Sequence, residues 1–226
     1  MIYNKMREQK GGSYMKVFVV GGSGRVATDL IKDLVKAGYS VTAAARHEDK
    51  IIDLNGVTKV HLDLHAGVDE LAELMKGNEA IYFTAGSRGQ DLLQTDAFGA
   101  VKTMQAAEKL GIKRYIMLSS IFSMQPEKWN LPGLKEIMDY DIAKFFADNY
   151  LINQTNLDYT ILQPTALTEE KGTGKISLDI IKPSTNPIPD VAQTLADLLK
   201  YNNTIGKVIM MQAGETPIDT ALSEIK

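Results

Sequence analysis

The chain lacks cysteine altogether, and this absence excludes several kinds of chemistry at once. None of its 226 residues carries a thiol, so disulfides, thiolate-bound metals and cysteine nucleophiles are ruled out. No apolar run approaches the length of a membrane-spanning helix, so we expect no membrane association. No signal peptide is visible either, so we expect a cytoplasmic protein. The formal charge of −3 leaves no basic excess for a nucleic-acid surface.

The composition that remains is that of a protein with a sizeable core. Hydrophobic residues make up 44% and charged residues 23% of the chain, and the length suits one α/β domain. Residues 1–14 differ from the rest, since they are polar, lack periodicity and precede Met15. They are either a flexible extension or translated sequence upstream of the native start. We expect residues 15–226 to form the single domain.

The segment 16–27 carries the most informative motif. A Val-rich run ends at a glycine turn, and an amphipathic helical pattern starts at once. This arrangement binds the pyrophosphate of a dinucleotide, because the turn and the helix N-terminus present free N–H groups to the phosphates. Gly21 would permit the sharp turn, and Gly24 would let the backbone approach the phosphates. The predicted cofactor-binding residues of this turn are Gly21, Gly22, Ser23, Gly24, Arg25 and Val26.

Strand and helix signals alternate almost to the C-terminus, which favours a doubly wound parallel sheet in a three-layer αβα arrangement. The predicted strands are 16–20, 40–45, 58–64, 80–85, 112–119, 159–162 and 207–211. The predicted helices are 24–36, 68–75, 91–110, 139–154 and 191–201. The segment 165–189 breaks the alternation with three prolines and two glycines. We interpret it as a small C-terminal region on the substrate side; the alternative is a solvent loop.

A second motif combines Tyr140 with Lys144, whose spacing of four places both on one helix face. A lysine beside a phenol is expected to lower the phenol pKa toward neutrality, so that the tyrosine can donate a proton to a carbonyl oxygen. Ser120 follows the fifth predicted strand and can hydrogen-bond the same oxygen. The alternative is that Tyr140 and Lys144 are an ordinary surface pair on the helix and that Ser120 belongs to a turn at the end of the strand.

Together these motifs resemble the short-chain dehydrogenase/reductase superfamily, in particular its atypical NAD(P)-binding branch of biliverdin- and flavin-reductase-like proteins. The resemblance runs from Met15 to the C-terminus and implies a Rossmann fold. It rests on residues 21–27, Arg46, 61–64, 84–86, 111–120, 140–144 and 157–164.

The resemblance also implies roles for individual residues. Ser120, Tyr140 and Lys144 match the catalytic set, and Lys144 also matches the residue that holds the nicotinamide ribose. Two departures stand out. Gln163 occupies a position where relatives often have arginine, and Asp96 lies where classical members place a catalytic asparagine. Further matched cofactor positions are Asp63 and Leu64 at the adenine, Thr84, Ala85 and Gly86 under the cofactor, and Pro164 and Thr165 beside the nicotinamide.

The end of the second strand bears on the choice of cofactor. NAD sites place a carboxylate there to accept from the ribose 2′-hydroxyl, whereas NADP sites place arginine. Here the strand ends at Arg46, and Arg25 could reach the same phosphate, so we expect NADP. The alternative is NAD held by Glu48 or Asp49.

The leading prediction is an NADP-dependent reductase that transfers hydride to a small carbonyl, flavin or quinone-like acceptor, with no metal. Two alternatives remain, a non-catalytic NADP(H) redox sensor and a nucleotide-sugar epimerase or dehydratase. The partner is then a small-molecule substrate, and the protein is a monomer or a homodimer. Phe122, Trp129 and Leu131 either line an apolar substrate pocket or pack their own loop.

Overall fold

One nine-stranded sheet organises the part of the chain that the structure, a computed structural model, describes: residues 15–180 and 183–226. The predicted extension at 1–14 lies outside the described residues, and so do residues 181 and 182 of the segment 165–189. The strands are β1 (Lys16–Val20), β2 (Ser40–Ala45), β3 (Val57–His61), β4 (Ala80–Phe83), β5 (Arg114–Leu118), β6 (Asp158–Pro164), β7 (Ala166–Thr168), β8 (Lys175–Ser177), β9 (Thr185–Pro187), β10 (Lys207–Ala213) and β11 (Thr216–Pro217). All strands of the described ranges except β7 and β9 belong to the nine-stranded sheet.

The sheet has the order β11-β8-β10-β6-β5-β4-β1-β2-β3. Its central strands are parallel, and β1 pairs with both β2 and β4, so the strand order reverses at β1. Beyond β10, β8 and β11 add antiparallel pairing. The prediction of a doubly wound parallel sheet is confirmed, and the reversal point is where such sheets bind dinucleotides.

Six α-helices flank the sheet in the described ranges. They are α1 (Arg25–Lys36), α2 (Val68–Met75), α3 (Phe98–Leu110), α4 (Met138–Gln154), α5 (Ile188–Asp197) and α6 (Ile218–Ser223). No helix of this part of the chain is long and apolar enough to cross a membrane.

The sheet has a buried core on each face, because alternate residues of each strand point to opposite sides. On one face, Val17 and Val19 of β1 pack with buried residues of α1 and α5. On the other, Phe18 and Val20 pack with α2, α3 and α4. The helices therefore hold the sheet from both sides and leave the carboxyl ends of the strands open.

Most predicted bounds shift by up to four residues, and two differences bear on the site. The third strand ends at His61 rather than at residue 64. Leu62 and Leu64 belong to the following loop, but both are buried, so their spacing of two resembles the alternation of a strand. The predicted helix 91–110 begins with a π-helical turn, Leu92–Ala97, before α3 starts at Phe98. Such turns occur often at functional sites.

The segment 165–189 is not a featureless loop. It contains β7 and β9, which pair in parallel with each other, and β8, which joins the main sheet. The buried Asn186 anchors it, since its Nδ2 donates to Thr165 Oγ1 at 2.8 Å and to the Met211 carbonyl at 2.9 Å. The segment is therefore fixed beside the carboxyl end of β6.

Candidate active site

The turn after β1 has the geometry that its glycines predict. Gly21 has a φ of +85°, and a Cβ there would lie 2.6 Å from the Ala85 backbone. The N–H groups of Gly21 and Gly22 both donate to the Ala44 carbonyl at 2.9 Å. The turn is thus clamped between β2 and β4, and a side chain at Gly21 would separate it from β4.

The N-terminus of α1 is free of competing side chains. Gly24 is its N-cap, no side chain caps it, and its first turn carries no acidic residue. The unpaired N–H groups and the helix dipole therefore favour an anion at this point. The buried Ala27 lets α1 pack closely against the sheet.

A cavity of about 560 Å³ extends from this turn along the carboxyl ends of β1 to β5. Most of the predicted cofactor-binding residues line it. They are Gly21, Ser23, Gly24, Arg25, Val26, Arg46, Asp63, Leu64, Thr84, Ala85, Gly86 and Lys144.

Gly22 is the exception in the phosphate turn. It is buried, and a Cβ there would lie 3.0 Å from Ala43 Cβ, so it packs against β2 behind the cavity. Sequence reasoning also missed several residues of the lining. Lys50 had a signal, because it follows Arg46 by four residues in a short helical turn. Four more come from the loop after β4 and the π-helical turn, whose shape no local pattern predicts. They are Ser87, Arg88, Gln90 and Thr95.

The two predicted arginines serve different parts of the cavity. Arg46 lies at the end of β2 with His47 and Lys50 in the same lining. Arg25 instead forms an exposed ion pair with Glu169, at 2.6 Å between Nη1 and Oε1. That pair connects the start of α1 to the segment after β7.

A second cavity, of about 460 Å³, adjoins the first. Its wall is mainly apolar, and Arg25 is the one charged residue among the described residues that line it. The predicted Ser120, Pro164 and Thr165 lie in this wall rather than in that of the first cavity. Four residues line both cavities, namely Arg25, Leu118, Tyr140 and Leu167.

Of the three residues considered for an apolar substrate pocket, only Leu131 lines this second cavity. Trp129 is buried in its own loop, where its Nε1 donates to the Phe122 carbonyl at 3.0 Å. Its ring also packs edge-on against Phe145, with centroids 5.9 Å apart. Loop packing, the alternative interpretation, therefore holds for Trp129 and Phe122.

Tyr140 stands where the two cavities meet, and Lys144 lies one helical turn further along α4. The Lys144 Nζ is 5.5 Å from the centre of the Tyr140 ring and donates to the Leu118 carbonyl at 3.2 Å. Burial raises the pKa of the Tyr140 phenol well above its ordinary value, and three nearby carboxylates raise it further. The expected lowering of this pKa by Lys144 is therefore wrong. The carboxylates are those of Asp96, Asp141 and Asp148.

Asp96 belongs to the π-helical turn and is fully buried. Its Oδ2 accepts from the Ser87 N–H at 3.0 Å, while its Oδ1 has no hydrogen-bond partner within the described ranges. A Cβ at Gly86 would lie 3.4 Å from that Oδ1. The residue thus places a carboxyl group, rather than an amide, next to Gly86 of the cofactor cavity.

Three features together define a Rossmann-type dinucleotide-binding domain. They are the glycine turn, the uncapped helix N-terminus and the cleft at the point where the strand order reverses. The chain belongs to the NAD(P)H-binding family, whose sequence profile matches residues 21–202. The cofactor class is therefore NAD(P)H, and the resemblance to short-chain dehydrogenases and reductases is confirmed.

Individual relatives agree with this assignment. The chain is 47% identical to the oxidoreductase ylbE of Lactococcus lactis, whose crystal structure superposes with a TM-score of 0.91 and covers 93% of this chain and 96% of that one. It is 34% identical to the uncharacterized sugar epimerase YhfK of Bacillus subtilis, over 93% of this chain and 100% of that protein.

A short-chain dehydrogenase/reductase from Veillonella parvula in complex with NADP shares the fold alone. Its TM-score is 0.73 at 19% identity, over 90% of this chain and 97% of that one. The more similar relatives are thus named as an oxidoreductase and as an uncharacterized epimerase.

Proposed function

We propose that this protein is an NADP-dependent reductase that acts on a small apolar acceptor. The observation that carries the proposal is the position of Tyr140, whose side chain lies in the wall that the cofactor cavity shares with the apolar cavity. A proton donor at that junction faces both the bound cofactor and the molecule to be reduced. Geometry of this kind is what general acid catalysis requires.

The preference for NADP rests on the charges at the end of β2. Arg46 and Lys50 line the cavity there, whereas Glu48 and Asp49 do not. Asp63 is the one carboxylate among the described residues of the lining. Two cations at this end of the cavity suit a 2′-phosphate, because they offset its negative charge.

The protonation of Tyr140 favours reduction over oxidation. Bound NADPH supplies the hydride. Because the raised pKa keeps the phenol protonated at neutral pH, Tyr140 holds the proton that the acceptor oxygen needs as negative charge develops on it. Ser120 orients that oxygen from the second cavity, and Lys144 holds the nicotinamide ribose. In the opposite direction Tyr140 would have to act as a phenolate, which its surroundings disfavour.

The wall of the second cavity favours a carbonyl or quinone-like acceptor with few polar groups. Isoleucine, leucine and proline side chains dominate it, and Arg25 supplies its single cation. A nucleotide-sugar substrate carries a diphosphate and several hydroxyls, which need more cations and donors than this wall offers. The epimerase alternative is therefore less well supported, despite the name of the YhfK relative.

The test compares the wild type with Tyr140→Phe in NADPH-coupled turnover of a panel of apolar aldehydes, ketones, quinones and free flavin. We expect turnover by the wild type and a loss of about 100-fold or more in the variant, because one proton donor contributes about 10²–10⁴-fold. NADPH affinity, measured by calorimetry, should change less than about twofold, since the hydroxyl serves the acceptor.

Tyr150→Phe is the matched control, because Tyr150 lies on the same helix and its hydroxyl accepts from Gln105 away from both cavities. NADPH binding without turnover of any acceptor would favour the redox-sensor alternative. Turnover of a nucleotide sugar without net NADPH oxidation would favour the epimerase.

A further inference from the structure

Asp148 is a buried carboxylate that the proposed reaction does not use. It lies on α4 one turn after Lys144, and both side chains are almost completely buried, with 0% and 1% exposure. A buried charge is costly unless it is paired and hydrogen-bonded. The position of Asp148 directly behind the proposed site therefore needs a physical reason.

Hydrogen bonds connect Asp148 to the loop that carries Ser120. Its Oδ2 accepts from Ser119 Oγ at 2.5 Å and from Ser123 Oγ at 2.6 Å. Ser123 Oγ in turn accepts from Gln163 Nε2 of β6 at 2.7 Å. This network joins α4, the loop after β5 and β6, so it fixes Ser120 relative to the helix that carries Tyr140.

Gln163 thereby acquires a role that its departure from the usual arginine did not suggest. An amide at this position donates to Ser123 without bringing a further positive charge into the core. An arginine would face Asp148 directly and compete with Lys144 for its negative charge.

Lys144 depends on neighbouring carboxylates for its charge. Burial lowers the pKa of its ammonium group, whereas Asp96 and Asp148 raise it. Its Nζ also faces the Phe83 ring, 5.6 Å from the centroid, and donates a hydrogen bond only to a neutral carbonyl among the described residues. The titratable groups packed around this cluster are Asp96 from the π-helical turn, Tyr115 from β5, and Tyr140 and Asp141 from α4.

We propose that Asp148 is a positioning residue of the active site, which keeps Lys144 in its ammonium form and locks the Ser119–Ser123 loop against α4. This inference rests on the proposed function for its catalytic meaning. The electrostatic coupling of Asp148 to Lys144 does not depend on any substrate. This coupling can therefore be measured on the protein without knowledge of the reaction.

The test is an NMR titration of the full chain labelled with ¹³C at the lysine ε-carbon. Lys144→Met identifies the Lys144 signal by its absence. In Asp148→Asn we expect the Lys144 titration midpoint to fall by about one pH unit or more, which is about a tenfold loss of proton affinity. The control is Asp139→Asn, which removes an exposed carboxylate from the same helix and should leave the midpoint unchanged.

A wild-type measurement keeps the test valid if Asp148→Asn does not fold. Burial raises the pKa of Asp148 to about 6, so the wild-type Lys144 signal should show a second, smaller inflection near that pH. Because Asp141 titrates in the same range, the inflection must persist in Asp141→Asn.

A Lys144 midpoint that is the same in wild type and folded Asp148→Asn would overturn the proposal and leave Asp148 a purely structural contact. The absence of the second inflection would do the same. If the coupling is present but no acceptor is turned over, the proposed reaction fails and this inference stands. If turnover is present, the alkaline limb of the kcat profile should move to lower pH in Asp148→Asn.

Discussion

At the scale of single residues, the site differs from a simple Tyr–Lys pair by its buried carboxylates. Asp96 and Asp148 lie near the Lys144 ammonium group, and both act together with Asp141 on the Tyr140 phenol. Burial and these carboxylates hold the proton on Tyr140, whereas burial alone raises the pKa of Asp141 and of Asp148. The sequence predicted the Tyr140–Lys144 pairing, because a spacing of four is a property of any helix. It did not predict the pKa of Tyr140, which depends on burial and on charges brought in by other elements.

Asp141 offers a test of how burial acts on a carboxyl group of this site. It is fully buried, and neither of its oxygens makes a well-formed hydrogen bond with the described residues, although the Ser120 hydroxyl lies close enough to favour its charged form in part. Burial raises its pKa from 3.8 to about 6. The folded carboxyl thus keeps its proton to a higher pH than the unfolded one.

The sign of the pH effect follows from this difference. The contribution of Asp141 to stability is fully present below about pH 4 and is lost as the pH rises through about 6. Between pH 5 and pH 8 we expect the wild type to lose about 1–1.5 kcal/mol more stability than Asp141→Asn, measured by urea unfolding. Asp139→Asn should behave like the wild type. Equal pH slopes for wild type and Asp141→Asn would contradict the prediction.

At the scale of elements, the β1 turn shows how local sequence and tertiary contact act together. The strand, the glycines and the following helix were predictable from the Val-rich run and the 3.6-residue periodicity. Why Gly21 tolerates no side chain depends on the segment that follows β4, where the Ala85 backbone lies against it. The π-helical turn Leu92–Ala97 was not predictable, because its residues also fit a regular helix and its shape depends on packing against α4 and on the Asp96–Ser87 contact.

Gly21→Ala tests the turn, and Gly77→Ala is its control. Both glycines have a positive φ, +85° and +76°, but only at Gly21 would a Cβ meet the neighbouring backbone. Gly77→Ala should cost about 1–2 kcal/mol from the left-handed conformation alone and leave NADPH affinity unchanged. Gly21→Ala should cost more and weaken NADPH binding at least about tenfold, measured by chemical denaturation and calorimetry. Equal effects of the two substitutions would show that the contact with β4 is unimportant.

At the scale of the whole molecule, the sheet brings distant segments to one cleft. The end of β2 supplies Arg46, the loop after β4 supplies Thr84 and Gly86, and α4 supplies Lys144. A ligand that spans these segments connects strands on both sides of β1. Its binding energy therefore adds to the stability of the fold, because the unfolded chain does not bind it.

Thermal unfolding measures this linkage and the cofactor preference together. At 100 times its Kd, NADPH should add about 2.7 kcal/mol, which corresponds to a rise in Tm of about 5–10 °C for a domain of this size. NADH at the same concentration should raise Tm by less than half as much. The double variant Arg46→Ala/Lys50→Ala should reduce the NADPH effect to that of NADH.

Lys113→Ala is the control for this experiment, because it removes an exposed cation just before β5, at the opposite end of the sheet from the cavities. It should retain the full difference between the two cofactors. Equal stabilisation of the wild type by NADPH and NADH would contradict the assignment of the 2′-phosphate to the end of β2.

The sequence by itself determined the alternation of strands and helices, the glycine turn and the shared helix face of Tyr140 and Lys144. These follow from periodicity and backbone sterics, which act between residues near one another in the chain. The tertiary structure decided that Lys50 lines the cofactor cavity, that Trp129 packs within its loop, and that an apolar cavity adjoins Tyr140. It also decided that Asp148 lies behind Lys144 with its serine partners. Burial and electrostatics act through space, so they could be read only once the sheet had brought these segments together.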